Sequence, residues 1–187
     1  VGGNISGTSD LAPLDQQADM LLELLPEAQN VGILYCSAEA NSVYQADVVK
    51  AALEEKGVTV TVYTFADSND VATVTQTACA ENDALYIPTD NTAASCTEAI
   101  NNVAEPAGVP IVAGEEGICK GCGIATLSID YYELGKTTGA MAAKILTGEA
   151  NVSEMPIEYY QNPVKKYDVA RCEALGITVP ADYVAIG

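Results

Sequence analysis

The chain has 187 residues, 49% of them hydrophobic, and a net charge of −18 from 26 acidic and 8 basic side chains. That length suits one large domain or one lobe with extensions, and the apolar share is enough for a real core. Nucleic acid and anionic membrane surfaces are excluded as direct partners because Lys and Arg are few and scattered; no apolar run approaches a membrane span; and the absence of His removes the commonest general base, the commonest metal ligand and every Ser-His or Cys-His pair.

The first residues, Val1-Gly2-Gly3-Asn4, carry neither Met nor a signal pattern, so we expect a processed chain or a fragment whose targeting segment lies upstream. Residues 5–9 read as an opening strand and turn. Ala18, Leu21, Leu22 and Leu25 at helical spacing predict a helix over 15–25, stopped by Pro26. Residues 31–35 read as a strand. A helix over 41–56 follows, with Val43, Ala46, Val49 and Leu53 inward and Gly57 closing it. The Val/Thr alternation of 58–65 predicts a strand wet on one face. A shorter helix (70–79), a buried strand (84–87) and a helix (92–104) come next.

Residues 109–112 read as a strand whose Pro110 keeps its start outside a full ladder. The Gly- and Glu-rich stretch 114–123 reads as a loop, and 124–129 as a strand. Asp130 opens a long helix to Thr147, with Leu134, Thr138, Met141 and Ile145 on one face and Gly148 as its stop. A last strand (157–160), a short helix (167–175) and an irregular tail from Val179 complete the chain. This order implies an α/β fold: a mostly parallel sheet with helices on both faces.

In such a sheet the ligand crevice lies outside the carboxyl ends of the strands. Helix starts gathered there present free N–H groups suited to an anion. Two polar clusters fall at these places. Asn41 and Ser42 can hydrogen-bond a carboxylate or serve as helix caps, and Gln45 sits one turn on. Thr89, Asp90 and Asn91 follow a strand directly: Asp90 can hold an ammonium group, its neighbours a carboxylate, and the alternative is an Asx turn with a cap. Glu115 and Glu116 follow the next strand, as crevice residues or as a solvated acidic loop. Asp130 reads first as a helix cap and second as a ligand contact. Tyr131 and Tyr132 line a pocket or pack at a core edge.

Cys119-Lys120-Gly121-Cys122 is a C-x-x-C, compatible with free thiols, a local disulfide or half a metal site. A zinc site needs four ligands, and no second C-x-x-C supplies the rest. A thioredoxin-type motif follows a strand and opens a helix, whereas this one reads as loop. Cys36, Cys79, Cys96 and Cys172 read as small core residues. We therefore expect no cofactor and no metal.

Several runs taken together carry a resemblance: Gly3-Asn4-Ile5-Ser6-Gly7-Thr8-Ser9; Val31-Gly32-Ile33-Leu34-Tyr35 with Glu39-Ala40-Asn41-Ser42-Val43-Tyr44-Gln45; Tyr86-Ile87-Pro88-Thr89-Asp90-Asn91-Thr92; Glu115-Glu116-Gly117; and Ile129-Asp130-Tyr131-Tyr132-Glu133-Leu134-Gly135. The chain resembles the later part of the ABC-transporter substrate-binding family that includes tryptophan/tyrosine-binding lipoproteins, a branch of the type I periplasmic-binding fold. The resemblance implies a Rossmann-like second lobe over 1–187, with the 130–150 helix belonging to a missing first lobe. It further implies an extracytoplasmic lipoprotein or periplasmic protein, an ABC permease as partner, and capture of a small zwitterion of the amino-acid class by lobe closure without chemistry. Uncovered apolar residues on the long helix invite dimerisation. The rivals are a ligand-sensing regulatory domain on the same fold and a flavodoxin-like enzyme; the latter is opposed by the lack of His, of a G-x-G-x-x-G loop and of any nucleophile–base pair.

Overall fold

The computed structural model describes residues 2–187. In chain order the elements are β1 (Thr8–Ser9), α1 (Leu14–Leu24), β2 (Asn30–Cys36), α2 (Ala40–Glu55), β3 (Thr59–Phe65), α3 (Val71–Glu81), β4 (Ala84–Ile87), α4 (Asn91–Ser95), α5 (Thr97–Ala107), β5 (Ile111–Ala113), α6 (Glu116–Cys122), β6 (Ala125–Ser128), α7 (Tyr131–Leu146), a 3-10 turn (Val152–Glu154), β7 (Glu158–Tyr159), β8 (Val164–Tyr167), α8 (Val169–Ala174) and β9 (Val184–Ala185). They form two compact units: unit 1 is the residues up to Ala12 with Ile129–Pro163, and unit 2 is Pro13–Ser128 with Val164–Gly187.

Unit 2 is built on a seven-stranded sheet of order β3-β2-β4-β5-β6-β8-β9. Its strands run parallel from β3 to β6, β8 is antiparallel to β6, and β9 is parallel to β8. The inner strands are buried on both faces, which is why they read as continuous apolar runs rather than alternations. Leu34, Leu85, Ile87, Ile111 and Ala113 pack with Val71 and Ala78 of α3, Ala93 of α4, Ile100 and Ala104 of α5 and Ile118 of α6. On the opposite face α1 and α2 contact each other and the sheet.

The chain leaves β2 through α2 to β3 on one side, then returns through α3 to β4 on the other. The order therefore reverses between β2 and β4, and the carboxyl ends of these two strands frame a topological switch point.

Four local expectations are corrected. The helix expected over 92–104 is two helices, α4 and α5, divided at Cys96. Residues 114–123, expected as loop, contain α6; the Glu115 carboxylate closes its start, and Ile118, Cys119 and Cys122 bury one face. Glycine's low helix propensity hid this element, yet the missing side chain at Gly121 is needed, since a Cβ there would lie 2.3 Å from that of Thr97. The tail from Val179, expected as irregular, supplies β9 to the sheet beside β8. Residues 157–160, expected as the last strand, give only the short β7, which pairs with β1 and is followed by two more strands.

In unit 1, β1 and β7 form a two-stranded parallel ladder. The Asp130 side chain accepts from Tyr132 N and Glu133 N and so caps α7, as its first reading required. Leu134 and Met141 are the buried side chains of that helix, while Leu146 is 86% exposed.

Candidate functional site

Six expected site residues converge at the switch point. Asp90 ends the β4–α4 turn and is 1% exposed. Its carboxylate accepts from Cys36 N (2.9 Å) at the end of β2, from Ser42 Oγ (2.7 Å) in α2 and from Ala93 N (2.7 Å) in α4. One buried charge therefore ties three elements together, which is how a buried carboxylate is tolerated. Thr89 is gripped from α2: Asn41 Nδ2 donates to Thr89 O (2.9 Å), Thr89 N donates to Gln45 Oε1 (3.1 Å), and Gln45 Nε2 donates to Thr89 O (3.3 Å). Ser42 and Gln45 are buried, whereas Asn41 and Asn91 are exposed.

Neither Asn41 nor Ser42 is the cap of α2. That position belongs to Glu39, whose own carboxylate reaches across to α4. It accepts from Asn91 N (2.9 Å), Asn91 Nδ2 (2.9 Å), Thr92 N (2.8 Å) and Thr92 Oγ1 (2.8 Å). Partial burial raises the Glu39 carboxyl, but these donors outweigh it and hold the group down at about 2. Glu39 stood inside the run that carried the resemblance, yet sequence reasoning missed its role. Nothing local shows that a side chain at 39 will meet a helix start 52 residues on.

The expectation that helix starts offer free N–H groups to an anion is corrected at two of them. Glu39 and Asp90 occupy the start of α4, and Glu115 occupies that of α6 through Gly117 N (2.7 Å) and Ile118 N. Glu115 neighbours the cluster, because Gly114 O accepts from Thr89 Oγ1 (3.3 Å). Glu116 turns elsewhere, accepting from Lys166 Nζ (2.6 Å), Ser128 Oγ (2.8 Å) and Lys120 Nζ (3.1 Å). The Lys166 contact above all, against the opposing effect of burial, holds its carboxyl at about 2. Asp130 belongs to unit 1, as do the exposed Tyr131 and Tyr132.

All six cysteines are free thiols. The C-x-x-C follows a strand and lies on a helix after all, but in the body and last turn of α6 rather than at its start. Burial pushes the Cys119 thiol up, and the Cys122 thiol up to about 12, so neither is a nucleophile at neutral pH. Among the described residues no group of three Cys, Asp or Glu side chains is placed to hold a metal ion.

A cavity of about 720 Å3 lies at the amino ends of β5 and β6, lined by residues of α5, α6 and α8 with Pro110 and Ile124. Of its two cations, Lys120 pairs with Glu116, and Arg171 is committed to Asp168, Asn101 Oδ1 and the carbonyls of Lys120 and Gly121.

A parallel α/β sheet with polar side chains collected at its switch point defines a ligand-binding architecture, here the type I periplasmic-binding fold. Residues 1–185 match the family model described as "ABC transporter substrate binding protein", and the chain belongs to that family. It is 32% identical over 156 residues to a tyrosine-binding protein of Clostridioides difficile, spanning 83% of this chain and 45% of that protein. It is 31% identical to a Streptococcus pneumonia ABC domain solved in complex with L-Trp (TM-score 0.87; 96% of this chain, 62% of that one). It is 32% identical to the ligand-free, open form of a Clostridium difficile substrate-binding protein with adhesive properties (TM-score 0.80; 100% and 64%). The chain thus spans about half the length of the curated relative and under two thirds of these solved chains. The curated relative and the Clostridium difficile structure are both described as binding proteins.

Proposed function

We propose that this chain forms one lobe of the solute-binding component of an ABC importer, and that it captures an amino acid by lobe closure without transforming it. The observation that carries this reading is the hydrogen-bonded cluster of Asn41, Ser42, Gln45, Thr89, Asp90 and Asn91 at the switch point. Ser42, Gln45 and Asp90 are the frame. Asn41, Thr89, Asn91 and Glu115 are the groups offered to the ligand, whereas Glu116 is committed to Lys166, Ser128 and Lys120. The carboxylates of Glu39 and Asp90 favour the ligand's ammonium end. Tyrosine and tryptophan are the first candidates, since relatives are named for or solved with them. The same reading places the protein outside the cytoplasm, with a permease as partner. It completes unit 1 with further polypeptide: a two-stranded ladder is marginal alone, and Tyr132 and Leu146 stand 76% and 86% exposed.

The test is isothermal titration of the twenty amino acids into the full-length gene product. We expect binding of L-tyrosine or L-tryptophan, weakened about tenfold or more in Asn41→Ala with the melting temperature unchanged. Absence of binding for all twenty sinks the amino-acid assignment.

A further inference from the structure

α1 presents Leu14, Ala18 and Leu21 on its buried stripe, and Gln17 stands among them at 1% exposure. An amide buried there costs about 1–3 kcal/mol unless it is fully paired. Both ends of Gln17 are paired. The Tyr86 hydroxyl, fully buried in β4, donates to Oε1, and Nε2 donates to Gly114 O (3.2 Å) at the end of β5.

Gly114 links this pair to the switch point. Its N–H donates to Ile87 O (2.7 Å), and its carbonyl also accepts from Thr89 Oγ1 (3.3 Å). Its Cα lies so close to the β4–α4 turn that a Cβ would stand 2.6 Å from Thr89 N and 2.7 Å from Pro88 C. Thr89 is therefore set from two sides: by Gln45 of α2 directly, and by Gln17 of α1 through Gly114.

We propose that Gln17 is a positioning residue for the ligand site, holding the Gly114 carbonyl so that the Thr89 hydroxyl and peptide stand in the ligand-competent place. The inference rests on the binding site proposed above. The alternative is that Gln17 only satisfies the Tyr86 hydroxyl. The two differ in what happens when both members of that pair are made apolar, because removing both partners costs little stability whereas removing one orphans the other.

The experiment compares Gln17→Met, Tyr86→Phe, the double variant, Thr89→Val and Gln17→Met/Thr89→Val in the full-length gene product. Melting temperature, titration with L-tyrosine and L-tryptophan, and hydrogen exchange of the Thr89 amide are measured. Gln17→Met lowers the melting temperature and weakens binding about tenfold. In the double variant stability returns toward wild type while binding stays weak and Thr89 exchange stays fast. Thr89→Val added to Gln17→Met weakens binding by less than about twofold more, because coupled residues are not additive. Binding that recovers together with stability, or losses that simply add, overturns the proposal. If the wild type takes up neither amino acid, tyrosine and tryptophan are removed as ligands, and Thr89 exchange alone decides the positioning role: faster in the double variant supports it, unchanged overturns it.

Discussion

Unit 2 buries nearly every apolar side chain of its inner strands, whereas in unit 1 Ile5, Tyr132, Leu146, Ile157 and Tyr159 are exposed. The difference is not one of local propensity, since α7 is as regular as α2 and is better capped. It lies in the number of strands. Seven strands give unit 2 two faces to cover, and helices cover both; two strands give unit 1 no interior of its own. Unit 2 also spends its charges internally, through Asp90, Glu39 and Glu116, while unit 1 leaves apolar surface for something else to meet.

The sharpest way to break this contrast is to remove Asp90. Asp90→Ala orphans Cys36 N, Ser42 Oγ and Ala93 N inside unit 2, and a loss of about 4 kcal/mol in urea unfolding is expected. A loss under about 1 kcal/mol would show that the cluster is not the tie we describe. Gly114→Ala comes next. With a Cβ 2.6 Å from a backbone nitrogen, the turn must shift, at a cost of about 3 kcal/mol by the same assay.

Acid probes the charges. The carboxyls of Glu39 and Glu116 sit at about 2 in the folded chain against an ordinary 4.5, so the unfolded chain binds more protons below 4.5. Their contribution is whole above pH 4.5 and disappears as pH falls toward 2. After solvent screening it is on the order of 1–2 kcal/mol each. Glu39→Gln flattens that part of the stability–pH curve; a curve identical to wild type would refute the assignment.

Unit 1 answers in the opposite sense. Gly139, inside α7 with nothing within 4 Å of a Cβ, predicts that Gly139→Ala stabilises this unit by up to about 1 kcal/mol, seen as slower hydrogen exchange in α7. Leu146→Gln changes urea stability by no more than about 0.5 kcal/mol, because the side chain is already in water. It reduces self-association of the chain in sedimentation if that face is sticky, and unchanged sedimentation removes the basis for a dimer.

Much of the site was legible because its residues carry their own local signals. Thr89-Asp90-Asn91 follows an apolar run and precedes a helical one, and Asn41 and Ser42 do the same. Their partners were less visible. Glu39 lay just outside the helix expected over 41–56, and Gln17 lay unremarked in the helix expected over 15–25, a polar residue beside an apolar stripe. That anomaly could have been noticed, although its partners at 86 and 114 could not.

The sequence alone determined the α/β class, the strands at 31–35 and 84–87 and the long helix after Asp130. Apolar runs, helical periodicity and caps act over a few residues and need no knowledge of neighbours. Tertiary structure alone decided that α6 forms from a glycine-rich stretch, that the tail enters the sheet as β9, and that the carboxylates of Glu39 and Asp90 close the start of α4. Those outcomes depend on strand order, which brings together groups tens of residues apart, and the burial of each is stable only once the others are in place.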